Sequence, residues 1–305
     1  MRTDQPRRPR PAALLAAGQV RYQLLLLARS PLGFFITLVV PVLLFVCLNL
    51  VTPDTVAAVP GGQRYVQFLT PAIATFCLLN ACYVNTITGI VLDREAGILK
   101  WLRGTPLPAW TYLAGRFGAA LVTALAAMTV IVLIAVALFD VTIVWTAFGY
   151  LLGVSGLGIV SFFLLAVAVT TLVPKSETAL PVAYGTMLPL AFISDVFFSS
   201  AHAPGWLHDL ASAFPVAPIA RAMEATFDPT TDSWPLSTAG LLTTAGWSLA
   251  ALIVIGLAFR WEPGPPRPHR WRMPRRQSRP GGAPESAAPD GRGGRARMTP
   301  VSPVG

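Results

Sequence analysis

The chain alternates long apolar blocks with short polar breaks. Six blocks stand out, at residues 32–51, 66–92, 117–139, 148–173, 179–199 and 238–259. Each approaches or exceeds the roughly 20 residues a helix needs to cross a bilayer core, where every backbone polar group must be satisfied within the segment. Ahead of the first block, residues 13–30 mix leucines with Gln19, Arg21 and Gln23. Those polar residues interrupt what would have to be the continuous core of a cleaved signal. They predict an interfacial helix with Leu14, Leu24 and Leu27 toward lipid and Gln19, Arg21 and Gln23 toward water; a plain basic juxtamembrane anchor is the other reading. Between the fifth and sixth blocks, Leu207, Leu210 and Phe214, then Val216, Ile219, Met223 and Phe227, recur at helical spacing and are broken by Pro215 and Pro218. Two such half-length helices are too short to span, so they are expected to re-enter the membrane only where protein covers their ends.

The pattern therefore predicts an all-α polytopic membrane protein in three parts. These are an N-terminal stretch with an interfacial helix (1–31), a six-helix domain (32–259) and a tail (260–305). The tail is Arg-, Pro- and Gly-rich without periodicity and is expected to be a disordered extension.

Composition agrees, with 54% hydrophobic and only 12% charged residues. The formal charge of +9 raises nucleic acid as a partner. Its basic residues crowd the chain ends and do not interleave with aromatics, which favours a membrane protein and no nucleic-acid role. Of the 23 Lys and Arg, six precede the first block, four lie in residues 93–116, one is Lys175 and ten follow the sixth block, leaving only Arg64 and Arg221 on the other side. By the positive-inside rule both termini and the 93–116 loop are expected in the cytoplasm.

Within the blocks, Pro41, Pro71, Pro181 and Pro189 each remove a helical hydrogen bond, as packing kinks or as hinges. Gly149, Gly153, Gly156 and Gly158 offer close approach to a neighbouring helix. Asn80, Asn85 and Thr86, with Thr88, are candidates to line a translocation path, or to hydrogen-bond between helices. Asp195, near the outer end of the fifth block, should face a cavity, a polar partner or outer water.

Catalytic and metal chemistry find little support. Cys47, Cys77 and Cys82 lie inside blocks without a CxxC pair and read as small apolar residues. His202, His208 and His269 form no metal-ligand spacing. Gly153-Val154-Ser155-Gly156 matches the GxSG motif of rhomboid intramembrane proteases, but Ser155 has no histidine in any block to take its proton. There is no GxxxxGK[ST], so a nucleotide that powers this protein must bind another polypeptide.

The stretch 93–116 is the most patterned polar segment. Asp93, Arg94, Glu95, Lys100 and Arg103 flank Ile98, Leu99, Trp101 and Leu102, a short helix with one apolar and one charged side, and Pro106 stops it. The order Asp93-Arg94-Glu95-Ala96-Gly97, then Leu102-Arg103-Gly104-Thr105-Pro106-Leu107-Pro108 and Tyr112-Leu113-Ala114-Gly115-Arg116, resembles the cytoplasmic loop of type-2 ATP-binding-cassette (ABC) transporter permeases, notably the bacterial drug-export branch. The resemblance covers about residues 15–260. Ile98 stands where that family usually has threonine, Trp101 where a basic residue is common and Asp195 where glycine is more frequent.

The resemblance implies a permease subunit in a bacterial cell membrane, paired with a second permease as a homodimer or heterodimer. It implies that ATP and Mg bind a separate ABC ATPase subunit, whose groove receives this loop as a coupling helix. The expected contacts are Leu99, Trp101 and Leu102 as an apolar anchor with Arg94, Glu95, Lys100 and Arg103 as rim charges. The expected activity is outward movement of a drug, antibiotic or lipid-like substrate by alternating access. A membrane scaffold recruiting another cytoplasmic partner, and an intramembrane hydrolase at Ser155, are the alternatives.

Overall fold

The computed structural model describes residues 12–29, 33, 35–52, 64–98, 109–194, 205–228 and 233–258. Among them there is no strand, and the protein is an all-α polytopic membrane protein. Helix α1 is Ala12–Arg29; α2 is Phe35–Val51, its first turn Phe35–Val39 wound as a π-helix. Helix α3 runs Tyr65–Glu95 and contains a π-helical segment at Asn80–Val84. Then follow α4 (Ala109–Phe139), α5 (Phe148–Thr170), α6 (Ser176–Ile193), the short α7 (Gly205–Ser212) and α8 (Val216–Ala225), and α9 (Thr238–Ala258).

Four of the six expected spans, α3, α4, α5 and α9, are long and apolar enough to cross a membrane. The other two, α2 and α6, are shorter or more polar. Residues 32 and 34 of the first block lie outside the described residues, as do residues 195–199 of the fifth. Helix α6 also begins with Ser176-Glu177-Thr178 and holds Pro181 and Pro189, which dilute its apolar character.

Helix α3 is the hub. Its most apolar window is 78% buried, whereas that of α9 is 11% buried, which puts α9 on the lipid-facing periphery. Residues Leu69, Ile73, Leu78, Ile87 and Ile90 of α3 are fully enclosed by neighbouring helices. Gly158 of α5 lets the bundle close, since a Cβ there would stand 3.1 Å from Ile219 and 3.8 Å from Leu78. Gly153 receives the ring of Trp234, while Gly149 and Gly156 face open space.

The expected re-entrant pair is α7 and α8. Helix α8 is enclosed along Val216–Ala220 and at Ala222 and Met223, whereas Trp206 and Leu210 of α7 are exposed. Their seat is fixed from three directions. Trp247 of α9 stacks on Phe214 at 5.6 Å and donates its indole N–H to the Ala213 carbonyl at 2.7 Å. Gln67 donates to the carbonyls of Thr142 and Phe227 and accepts from the Thr142 N–H, tying α3, the α4–α5 connection and the end of α8 together.

Helix α1 differs from its expected orientation. Gln23 is buried and Gln19 is half-buried, while Leu25 and Leu26 are exposed. The cause is a notch on α4: a Cβ at Gly115 would lie 2.4 Å from Gln19 Cβ, and one at Gly118 2.5 Å from Val20 Cγ2. Two glycines three residues apart let the backbones approach so closely that the polar face of α1 meets protein, with the leucines left for lipid. Arg21 is exposed, as expected. Gly115→Val is expected to force α1 off α4, at a cost of about 1–3 kcal/mol typical of overpacking, read as a lower unfolding midpoint in detergent and faster proteolysis within α1; unchanged digestion would exclude this seat.

Candidate functional site

The polar stretch that stands out in the sequence is anchored by three consecutive residues, each bonded to a different helix. Helix α3 continues through Asp93, Arg94 and Glu95 and stops at Gly97, whose φ of +72° suits a residue without a Cβ. The loop thus begins about four residues later than the charge pattern suggests. It also ends earlier, because Tyr112 and Arg116 already belong to α4.

Asp93 points to α4. Its Oδ2 accepts from Tyr112 Oη and from Arg116 Nη2, both at 2.7 Å. Asp93 is 6% exposed, and the two charged side chains are 9% and 13% exposed, so the ion pair is nearly withdrawn from water. Arg116 fits because residue 89 is glycine: a Cβ there would stand 2.1 Å from Arg116 Nη1. Tyr112 and Arg116 are one helical turn apart, and the Arg116 Nε–H also reaches Tyr112 Oη at 3.4 Å.

Arg94 points to the end of α5. Its guanidinium donates to the Thr170 carbonyl at 3.1 Å and to the Val173 carbonyl. Glu95, on the exposed side, accepts from the backbone N–H of Ser176 at 2.8 Å, the first residue of α6. The order of charges matches the helix ends they meet. A cation sits at the C-terminal, partially negative end of α5, and an anion at the N-terminal, partially positive end of α6.

Of the sequence-derived coupling residues, Arg94 and Glu95 are therefore already engaged within the chain, at the root of the loop. Leu99, Lys100, Trp101, Leu102 and Arg103 lie outside the described residues. The charge pattern alone places Tyr112 and Arg116 in the loop and gives them no role. A signal was available: Asp93 directly follows the second apolar block and Arg116 directly precedes the third.

The path candidates separate into two places. Asn80 donates to Tyr184 Oη of α6 at 3.3 Å, and one helical turn on Tyr83 Oη pairs with Thr186 Oγ1 at 2.9 Å. Beside them is a cavity of about 220 Å3, walled by Tyr83, Phe162, Met187, Phe214 and Trp247. Asn85 turns instead to Thr37 of α2, donating to its Oγ1 at 2.9 Å, and Thr86 lines a second cavity near Asp93. Asp195 lies outside the described residues.

Ser155 is fully buried. Its hydroxyl donates to the Leu151 carbonyl at 2.7 Å and stands 3.4 and 3.5 Å from the sulfurs of Met128 and Met223. These groups are too weakly basic to take its proton, so the geometry is that of a packed serine. Among the described residues, no three side chains able to hold a metal come together.

No curated protein matches the chain at a significant level. The family model described as ABC-2 family transporter protein matches residues 58–261, more than half of the chain. That match spans α3 through α9 and includes the Asp93–Arg94–Glu95 anchor, and the chain accordingly belongs to the ABC-2 family of transporter permeases.

Proposed function

We propose that this chain is the membrane-spanning permease subunit of an ATP-driven exporter, working with a second permease and with a separate ABC ATPase subunit that binds ATP and Mg. The reading puts the termini and the loop after Glu95 in the cytoplasm of a bacterial cell, with the loop seated in the ATPase. The observation that carries it is the anchor. Asp93, Arg94 and Glu95 bond the loop's root to α4, α5 and α6 at once, so a displacement of the loop is passed to three helices together. A loop that only hung in solvent would need no such linkage.

In this reading Leu99, Trp101 and Leu102 insert into the ATPase and Lys100 and Arg103 contribute at the rim. Arg94 and Glu95 carry motion inward. Tyr83 and Thr186 offer polar contacts in an otherwise apolar, aromatic-walled cavity, with the Asn80–Tyr184 pair about one turn away, which suits a hydrophobic or amphipathic substrate. Asn85, Thr86 and Asp195 complete the proposed path.

Co-purification tests the proposal. The wild-type chain is expected to retain its ATPase partner in detergent, and Leu99→Asp with Trp101→Asp to lose it while inserting normally. Equal recovery with both chains would remove the coupling role and leave the scaffold reading.

A further inference from the structure

A second cavity, of about 340 Å3, lies between α1, α3 and α4 at the same end as the Asp93–Arg116 pair. It is separate from the aromatic-walled cavity, and its chemistry is different. Thr86 and Asp93 line it from α3, Arg116 from α4 and Gln23 from α1, and Leu26 and Leu92, also lining it, are 43% and 58% exposed.

Its polar groups have unused capacity. Gln23 and Thr86 are only 7% and 3% exposed, yet neither side chain makes a hydrogen bond to any described residue. Both line the cavity, and their polar atoms are not among the enclosed unpartnered ones, so they are open to it and can bond whatever occupies it. The ion pair is also half used. Arg116 binds Asp93 through Nη2 and Tyr112 through Nε, and Asp93 accepts both of its bonds on Oδ2. This leaves Arg116 Nη1 and Asp93 Oδ1 without partners among the described residues.

We propose that this cavity binds the headgroup of a zwitterionic glycerophospholipid carrying a primary ammonium, of the phosphoethanolamine type. The phosphate would take hydrogen bonds from Arg116 Nη1 and the Gln23 amide, and the ammonium would donate to Asp93 Oδ1 and Thr86. A neutral pair with one open donor edge and one open acceptor edge matches a zwitterion. A purely anionic headgroup would meet the open carboxylate oxygen, and a choline headgroup has no N–H to donate to it. The exposed Leu26 and Leu92 favour a lipid over a free phosphodiester, because they place acyl chains beside the mouth. Under the orientation proposed above, this is the cytoplasmic leaflet. The site itself does not depend on ATPase docking, so its test stands apart from the co-purification.

The test is native mass spectrometry of the full chain released from nanodiscs containing equal amounts of phosphatidylethanolamine, phosphatidylcholine and phosphatidylglycerol. One phosphatidylethanolamine per chain is expected to survive, with the other two retained at least about tenfold less. Gln23→Leu with Thr86→Val removes both unpartnered groups without touching the ion pair. It is expected to lower retention about tenfold at an unchanged unfolding midpoint. No retained lipid, equal retention of the three headgroups, or undiminished retention by a folded double variant would each overturn the site. The headgroup preference of the wild type decides the matter even if the variant fails to fold. Displacement of the lipid by soluble glycerophosphoethanolamine would overturn the lipid assignment, and resistance to it supports the assignment.

Discussion

Replacing Arg116 with methionine is expected to destabilise the protein by about 3–5 kcal/mol, the range seen when one partner of a buried ion pair is removed. Methionine fills a similar volume, so the loss reports charge and hydrogen bonding more than packing. Asp93 would remain buried with a single neutral donor, Tyr112. Asp93→Leu should cost a comparable amount by stranding the guanidinium above Gly89. The double variant Asp93→Leu with Arg116→Met removes both charges and should recover most of the loss. The resulting coupling, read from thermal unfolding by tryptophan fluorescence, should be at least about 2 kcal/mol. Single variants within about 1 kcal/mol of wild type would mean that water reaches the pair freely.

The second large effect is expected at Arg94. Arg94→Gln removes charge-assisted bonds to the Thr170 and Val173 carbonyls, and bonds of that kind contribute about 1.5–3 kcal/mol each at most when one partner is charged. Exchanging the two residues, as Arg94→Glu with Glu95→Arg, should be worse than Arg94→Gln, because each charge would then face the like-signed end of a helix. If the anchor transmits motion, Arg94→Gln should depress transport in vesicles far more than it depresses ATP hydrolysis by the assembled complex. Parallel losses of both would assign Arg94 a purely structural role.

Much of the architecture was legible because lipid imposes a simple rule on composition. Residues 66–92, 117–139, 148–173 and 238–259 read as spans and fall in α3, α4, α5 and α9. The helical spacing around Phe214 also forecast two short helices, and enclosure of α8 follows from the need to cover its backbone. The partnerships were not legible. Asp93 and Arg116 are 23 residues apart, and Glu95 and Ser176 are 81 apart, so no local pattern links them. Amphipathicity gives the polar side of α1 a direction without saying what lies there, so water and a protein surface read alike in the sequence. Only the Gly115–Gly118 notch on another helix turns that face inward.

The π-helical segment at Asn80–Val84 sets the phase of α3. A π turn carries one residue more than an α turn, and one residue corresponds to about 100° of rotation about the axis. Everything beyond it is thereby turned relative to the first half: before it Gln67 reaches Thr142 and Phe227, within it Asn80 and Tyr83 reach α6, and beyond it Asn85 meets α2 and Asp93 meets α4. The alignment at the loop's root is thus fixed by a single supernumerary residue about ten positions away. Relatives that lack it would be out of register with this chain from the middle of the helix onward, even where their apolar profiles coincide.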